Sequence, residues 1–169
     1  MLNGEQAKGF LQYFLGIMAT EFPTTKTVIA AVPQDKSEWR PDPKAKTALE
    51  LAWHLASAEM FFMDAVVSGA YDMSGGEAAP PKTVNEILSF YEKNYHDRVS
   101  KLERLSGEQL LKPVSFFGLM ELPAVMHLNF MLMHSAHHRG QLSVYLRPMG
   151  SKVPSIYGGS ADEPFPMPS

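Results

Sequence analysis

The chain of 169 residues contains no cysteine. Disulfides, cysteine-ligated zinc and a thiolate nucleophile are therefore excluded, and any thiol chemistry must borrow its sulfur from a second molecule. The chain also lacks an excess of either charge: 15 basic against 18 acidic residues leave a net charge of -3, with the two signs interspersed. Such a distribution attracts neither a phosphate backbone nor an anionic bilayer face, so no nucleic-acid or membrane partner is expected. No apolar run approaches the roughly 18 residues that span a bilayer. The first residues, Met1 to Lys8, lack the basic-then-apolar order of a secretory signal, and the expected location is the cytoplasm.

What the chain does have is the profile of a soluble globular protein, 45% apolar and 20% charged, at a length that suits one domain over residues 1–169. Residues 4–32 place Phe10, Leu11, Phe14, Leu15, Ile17, Met18, Val28, Ile29 and Val32 on the helical period, and Pro23 is expected to kink one continuous helix. Three prolines make residues 33–44 a loop, with Trp39 a plug against the end of the helices. A second helix is expected from about Lys46 to Val67, closed by Ser68 and Gly69. The connection that follows, through Gly75, Gly76, Pro80 and Pro81, is long enough to traverse a bundle, so the third helix, Thr83 to about Leu105, is expected to run parallel to the second. Thr83 and Glu86 form its capping box. Its inward stripe is Val84, Ile87, Leu88, Tyr91, Tyr95, Val99 and Leu102, with Glu92, Lys93, Asp97 and Arg98 facing water. A connection with a brief extended piece at Pro113 to Gly118 leads to a fourth helix, Leu122 to Leu146, with Pro123 in its first turn. Residues 150–169, around Tyr157, read as an irregular tail or a lid. The fold class is all-α.

The chemistry concentrates in His134-Ser-Ala-His137-His138-Arg139-Gly140-Gln141, which holds three of the six histidines. A helix advances about 100° and about 1.5 Å per residue, so His134 and His138 lie one turn apart on one face. Two imidazoles so placed can grip one metal ion. His54 sits in a second amphipathic stretch, Glu50 to Glu59, where Leu51, Leu55, Ala58 and Phe62 mark the buried side. A lone histidine on an apolar face is more often a hydrogen-bonded core residue. Three change the balance, because each unsatisfied buried polar group costs about 1 to 3 kcal/mol and a shared ion satisfies all of them. His137, three residues from His134, is an alternative to His138; the heptad face that groups Met131, His134, His138, Gln141, Leu142 and Tyr145 favours His138. His127 is about 10.5 Å along the axis from His134, too far to share an ion, and shapes the cavity instead. His96 reads as a surface or interhelix residue, Glu50 as a solvent-facing glutamate rather than a ligand, and Arg139 as half of a surface or interface ion pair. Met60, Phe61, Phe62 and Met63 make an apolar wall that could contact a substrate.

Glu21-Phe-Pro-Thr-Thr25, Trp39-Arg-Pro41, Glu50-Leu-Ala-Trp-His54, the histidine cluster through Gln141 and the tail from Val153 to Asp162 together resemble the DinB/YfiT-like superfamily of metal-binding four-helix bundles. The resemblance covers almost the whole length. It implies an up-down-down-up bundle, a homodimer, and a divalent ion held by His54, His134 and His138. It also implies thiol-dependent transfer or isomerisation, with bacillithiol, mycothiol or glutathione as cosubstrate.

Three neutral histidines leave a coordination position open, the arrangement of a catalytic ion. The expected function is a metal-dependent enzyme, a thiol S-transferase or isomerase, that activates a low-molecular-weight thiol or water toward a small electrophilic substrate. Gln141 and Tyr145, one and two turns beyond His138, are the catalytic candidates for orienting that thiol. Zinc or nickel suits an all-imidazole site, and metal release is expected below about pH 6 to 6.5. The alternative is a non-catalytic metal-binding module in stress response or interaction. A ferritin-like di-iron site is excluded because no Glu-x-x-His pair is present, and a zincin peptidase because no glutamate follows His134.

Overall fold

A computed structural model describes residues 2–74, 79 and 81–165. The described elements, in chain order, are α1 (Gly4–Ala30), α2 (Ala48–Ser68), α3 (Val84–Glu103), α4 (Gly107–Leu111), β1 (Pro113–Phe116), β2 (Met120–Pro123) and α5 (His127–Leu146), with single 3-10 turns at Gln34–Lys36 and Ala124–Met126. The protein is mostly helical, as its periodicity requires. Helix α2 lies against α3 and α5, and α1 against α3, α4 and α5.

Helix starts are written in the sequence. The side chains of Asn3, Thr47, Thr83 and Ser106 each accept the N–H three residues on, while Gln6, Glu50, Glu86 and Gln109 accept the N–H of the cap. Each cap is worth about 1 kcal/mol, because it satisfies helix-end donors that otherwise have no partner. Gly69, at φ 79°, ends α2 in the left-handed conformation that glycine tolerates best. Pro23 leaves α1 as one unbroken helix. Around it the hydroxyls of Thr24 and Thr27 donate to the carbonyls of Thr20 and Pro23, at 3.1 and 2.9 Å.

Two expectations need correction. Residues 106–120 contain a short helix, α4, whose Ser106/Gln109 capping box is legible but whose five residues are too few to show a helical period. The last long helix begins at His127 rather than Leu122. Leu122 precedes a proline, which disfavours the helical region, and it pairs with Val114 in an antiparallel hairpin that extends to Pro113 and Pro123. The Ala124 N–H then donates to the Lys112 carbonyl at 2.9 Å, closing the hairpin base. The all-helical expectation therefore holds for the core, the extended piece expected at Pro113 to Gly118 is strand β1, and its partner β2 takes the residues expected to open the last helix.

The stripe expected on α3 faces inward: Val84, Ile87, Tyr91, Tyr95 and Leu102 are buried, with Leu88 and Val99 packed at its margin. They meet Leu11, Met18 and Ile29 of α1 and Leu51, Leu55 and Met63 of α2 in one continuous core. Arg98 does not simply face water. It reaches across to Asp64 of α2, with Nη2 and Nε donating at 2.9 and 3.3 Å. Trp39 caps the core edge-on to Tyr145 at 5.4 Å, as the plug reading required. One contact depends on glycine: a Cβ on Gly107 would fall 2.5 Å from the carbonyl oxygen of Gly4, so α4 seats on the start of α1 only with a bare backbone.

Residues 151–165 are irregular but tied. Asp162 accepts from Arg147 Nε at 3.0 Å and from the Val153 N–H at 2.9 Å. Gly75, Gly76 and Pro80 of the long connection, and the end of the tail, lie outside the described residues. Among the described residues no helix is long and apolar enough to cross a membrane.

Candidate metal centre

Helices α2 and α5 face each other across the region where His54 meets His134 and His138. The ring centroids are 5.1 Å apart for His54 and His134, 4.6 Å for His54 and His138, and 4.3 Å for His134 and His138. One nitrogen from each ring lies within 4.8 Å of the others. Tetrahedral ligation with bonds of about 2.0 to 2.1 Å needs nitrogens roughly 3.3 Å apart, so modest ring rotations close the set on one cation. All three residues are half-buried, which keeps the group within reach of solvent.

The donor chemistry fits a cation. Burial, then the neighbouring charges of His138, His54 and His137, lowers the pKa of His134 to about 4. Burial also lowers that of His138, against the opposing pull of its Gln141 hydrogen bond. Both imidazoles are therefore unprotonated at neutral pH, the state that ligation requires. Nδ1 of His134 is buried without a hydrogen-bond partner, an omission that costs about 1 to 3 kcal/mol and that a bound ion would remove. Nδ1 of His138 donates to Gln141 Oε1 at 2.9 Å, which fixes the tautomer and leaves Nε2 as the ligand atom.

The remaining histidines separate cleanly. His137 is exposed, its ring 4.9 Å from that of His138, and it stands outside the triad. His127 is fully buried: its Nε2 donates to the Val114 carbonyl at 3.0 Å, so its Nδ1 accepts from the Tyr71 hydroxyl at 2.8 Å. His96 is exposed against Phe22, with centroids 5.2 Å apart. Glu50 serves the Thr47 capping box, and the Thr47 backbone N–H holds its carboxyl below the usual range. Tyr145 is buried, and burial pushes its phenol up.

Arg139 departs furthest from expectation. It is fully buried, and its guanidinium bonds the carboxylate of Glu21, the Glu21 carbonyl at 3.2 Å, Thr25 Oγ1 at 3.1 Å and the hydroxyl of Tyr157. Tyr157 also donates to Glu21 at 2.8 Å, so the tail is fastened to α1 and α5 together. Beside this group lies Glu59, buried and raised in pKa chiefly by desolvation, which accepts from Tyr91. Sequence reasoning had Arg139 in an ion pair and Tyr91 facing inward, but it missed that Arg139 and Glu59 are buried and that Glu21, Thr25 and Tyr157 converge on the guanidinium. The one signal was the spacing of Glu21 with Thr25, one helical turn apart like Ser135 with Arg139.

An all-helical core with a histidine triad between two of its helices defines the class of protein. The chain belongs to the DinB family, whose sequence model matches residues 6–164. It is 24% identical over 158 residues to the uncharacterized protein YrdA of Bacillus subtilis (strain 168), covering 90% of this chain and 91% of that one. In fold it is similar to a DinB-like protein from Bacillus cereus ATCC 10987, with TM-score 0.73, 23% identity, and coverage of 85% of this chain and 95% of the other. It is also similar to the DinB-like protein YjoA of Bacillus subtilis, with TM-score 0.69, 21% identity, and coverage of 88% and 97%.

Proposed function

We propose that His54, His134 and His138 hold one divalent ion, zinc or nickel, and that the protein is an enzyme that activates a low-molecular-weight thiol or water for transfer to a small electrophilic substrate. The observation that carries this reading is a half-buried group of three imidazoles with no fourth protein ligand grouped with them among the described residues. A closed structural zinc site would use four protein ligands. An ion bound there would supply Lewis-acid activation of a thiol or water near neutral pH. The chain's own residues do the rest. Burial keeps His134 and His138 neutral, Gln141 orients His138, and Tyr145, one turn beyond Gln141 and braced by Trp39, supports that end of the site. With no cysteine in the chain, the thiol is a cosubstrate.

The same reading takes the four long helices as an up-down-down-up bundle. Trp53 with Phe90, Glu59 with Tyr91 and Asp64 with Arg98 ascend together along α2 and α3, which supports a parallel pair. His54 with His138 and Phe62 with Phe130 run in opposite order along α2 and α5, which supports an antiparallel one. A homodimer completes the proposal, and sedimentation of the native protein checks it.

Metal analysis of the native protein and of His54→Ala, followed by a screen of small thiols with a nitroaryl halide, tests the function. The native protein should carry one equivalent and the variant none. A full equivalent retained by His54→Ala overturns the ligand assignment, and an occupied site that turns over no thiol or water substrate assigns the protein to binding rather than catalysis.

A further inference from the structure

Along α2, Phe61 lies seven residues beyond His54, two turns or about 10.5 Å away on the same face, and only Ser57 and Ala58 stand between them there. Around Phe61 and its neighbour Phe62 gathers a set of rings drawn from three other parts of the chain. The Phe62 ring is 5.5 Å from that of His134, 5.6 Å from Phe130 and 6.0 Å from Phe116. Phe61 is 5.1 Å from Tyr71 and stacks on Phe117 at 6.4 Å. Phe62 is buried, Phe61, Tyr71, Phe116 and Phe130 are half-buried, and Phe117 is 49% exposed, so the rings grade from the metal centre out to solvent.

Two features show that this edge is built rather than incidental. His127 is fully buried and places both nitrogens on it, one holding the Tyr71 hydroxyl and the other the β1 carbonyl of Val114. At the hairpin tip, Phe117 sits at φ 53° ahead of Gly118 at φ 73°, and the Leu119 N–H donates to the Phe116 carbonyl at 2.9 Å. Such a turn favours Asn-Gly at its centre, and a bulky side chain at positive φ is strained. The hairpin keeps a phenylalanine where asparagine would be more stable, and the ring so placed points to use in binding.

We propose that these rings form the subsite for an aromatic or other flat apolar portion of the ligand whose donor atom occupies the open position beside His54, His134 and His138. The inference rests on the metal-site reading above and adds the class of molecule that the site takes. Ring–ring contacts reward an aromatic group beyond its apolar area, so the preference should be at least about tenfold over a ligand with the same donor atom and no ring.

Cobalt(II)-loaded protein, titrated with phenethyl mercaptan and with ethyl mercaptan and followed by the visible cobalt bands, tests it. The phenethyl thiol should bind at least about tenfold tighter, and Phe117→Asn should erase most of that ratio while leaving ethyl mercaptan affinity unchanged and the melting temperature equal or higher. Equal affinities for the two thiols, or a ratio untouched by both Phe117→Asn and Phe61→Ala, overturn the aromatic subsite and leave the metal reading standing. Cobalt bands that no thiol shifts overturn thiol ligation, and the subsite with it, while the ion stays assigned; failure to take up cobalt, or equal uptake by His54→Ala, overturns the metal reading itself. Loss of self-association in Phe117→Asn with the thiol ratio preserved would assign the rings to a contact between copies of the chain and overturn the proposal.

Discussion

Gln141 accepts a hydrogen bond from Nδ1 of His138 at 2.9 Å, one turn along the helix that carries both. The bond decides which nitrogen of His138 is left for a ligand, because a carbonyl oxygen only accepts and Nδ1 must therefore carry the proton. Outer partners of this kind are typically worth about 10- to 100-fold in metal affinity. Gln141→Ala should lower affinity in that range, measured by chelator competition, with unchanged circular dichroism. An affinity equal to that of the native protein would remove Gln141 from the site.

Burial depresses His134 to about 4 in the folded protein, against about 6.5 for an ordinary imidazole. In the metal-free protein the unfolded chain takes up a proton below about 6.5 that the folded chain refuses, so stability present above that pH falls as pH drops and the loss is complete near 4. Glu59, raised by desolvation, works in the opposite sense, so the comparison must be made with His134→Phe. Urea unfolding of the apo-protein between neutral pH and 4 should show a slope that flattens in the variant. Identical slopes would contradict the assignment. Protons also compete for His134 only at lower pH than for a free imidazole, which moves the expected metal release below the window of about 6 to 6.5 set by ordinary histidine.

Arg139 and Glu21 form a buried ion pair, with side chains 1% and 16% exposed. Removing one partner leaves the other charged and unpaired, which costs about 3 to 5 kcal/mol. Glu21→Ala should therefore destabilise strongly in a denaturant melt, and Glu21→Gln, which keeps a hydrogen-bond acceptor, should cost less. Equal losses for the two variants would show that the charge is not what matters.

Tyr157 bonds both members of that pair from the tail. Tyr157→Phe should cost about 1 kcal/mol and speed hydrogen exchange or proteolysis within residues 151–165 well before the helices open. Uniform protection across tail and core in the variant would argue that the tail is held by other contacts.

Gly107 meets the backbone of Gly4, so a methyl group there has nowhere to go. Gly107→Ala should destabilise by about 1 to 3 kcal/mol in spite of alanine's better helix propensity, read as a lower melting temperature. A stabilised variant would mean that α4 can lift off α1 at no cost.

The sequence alone determined the long helices, the Thr83 cap, the Gly69 stop and the identity of the three histidines to watch. All of these follow from local chemistry: a period of 3.6 residues, a side chain reaching three residues along, a backbone angle that one residue type tolerates. Tertiary structure brought the ring of His138, the histidine the heptad face favoured, to 4.6 Å from that of His54, and it decided that His127 braces Tyr71 and Val114 and that Arg139 is buried against Glu21 rather than placed at the surface. It also formed the hairpin that overrode the expected start of the last helix. Those outcomes depend on which groups from distant segments converge, and on burial that changes the cost of leaving each one unpaired. Neither is written into the spacing of neighbours along a single chain.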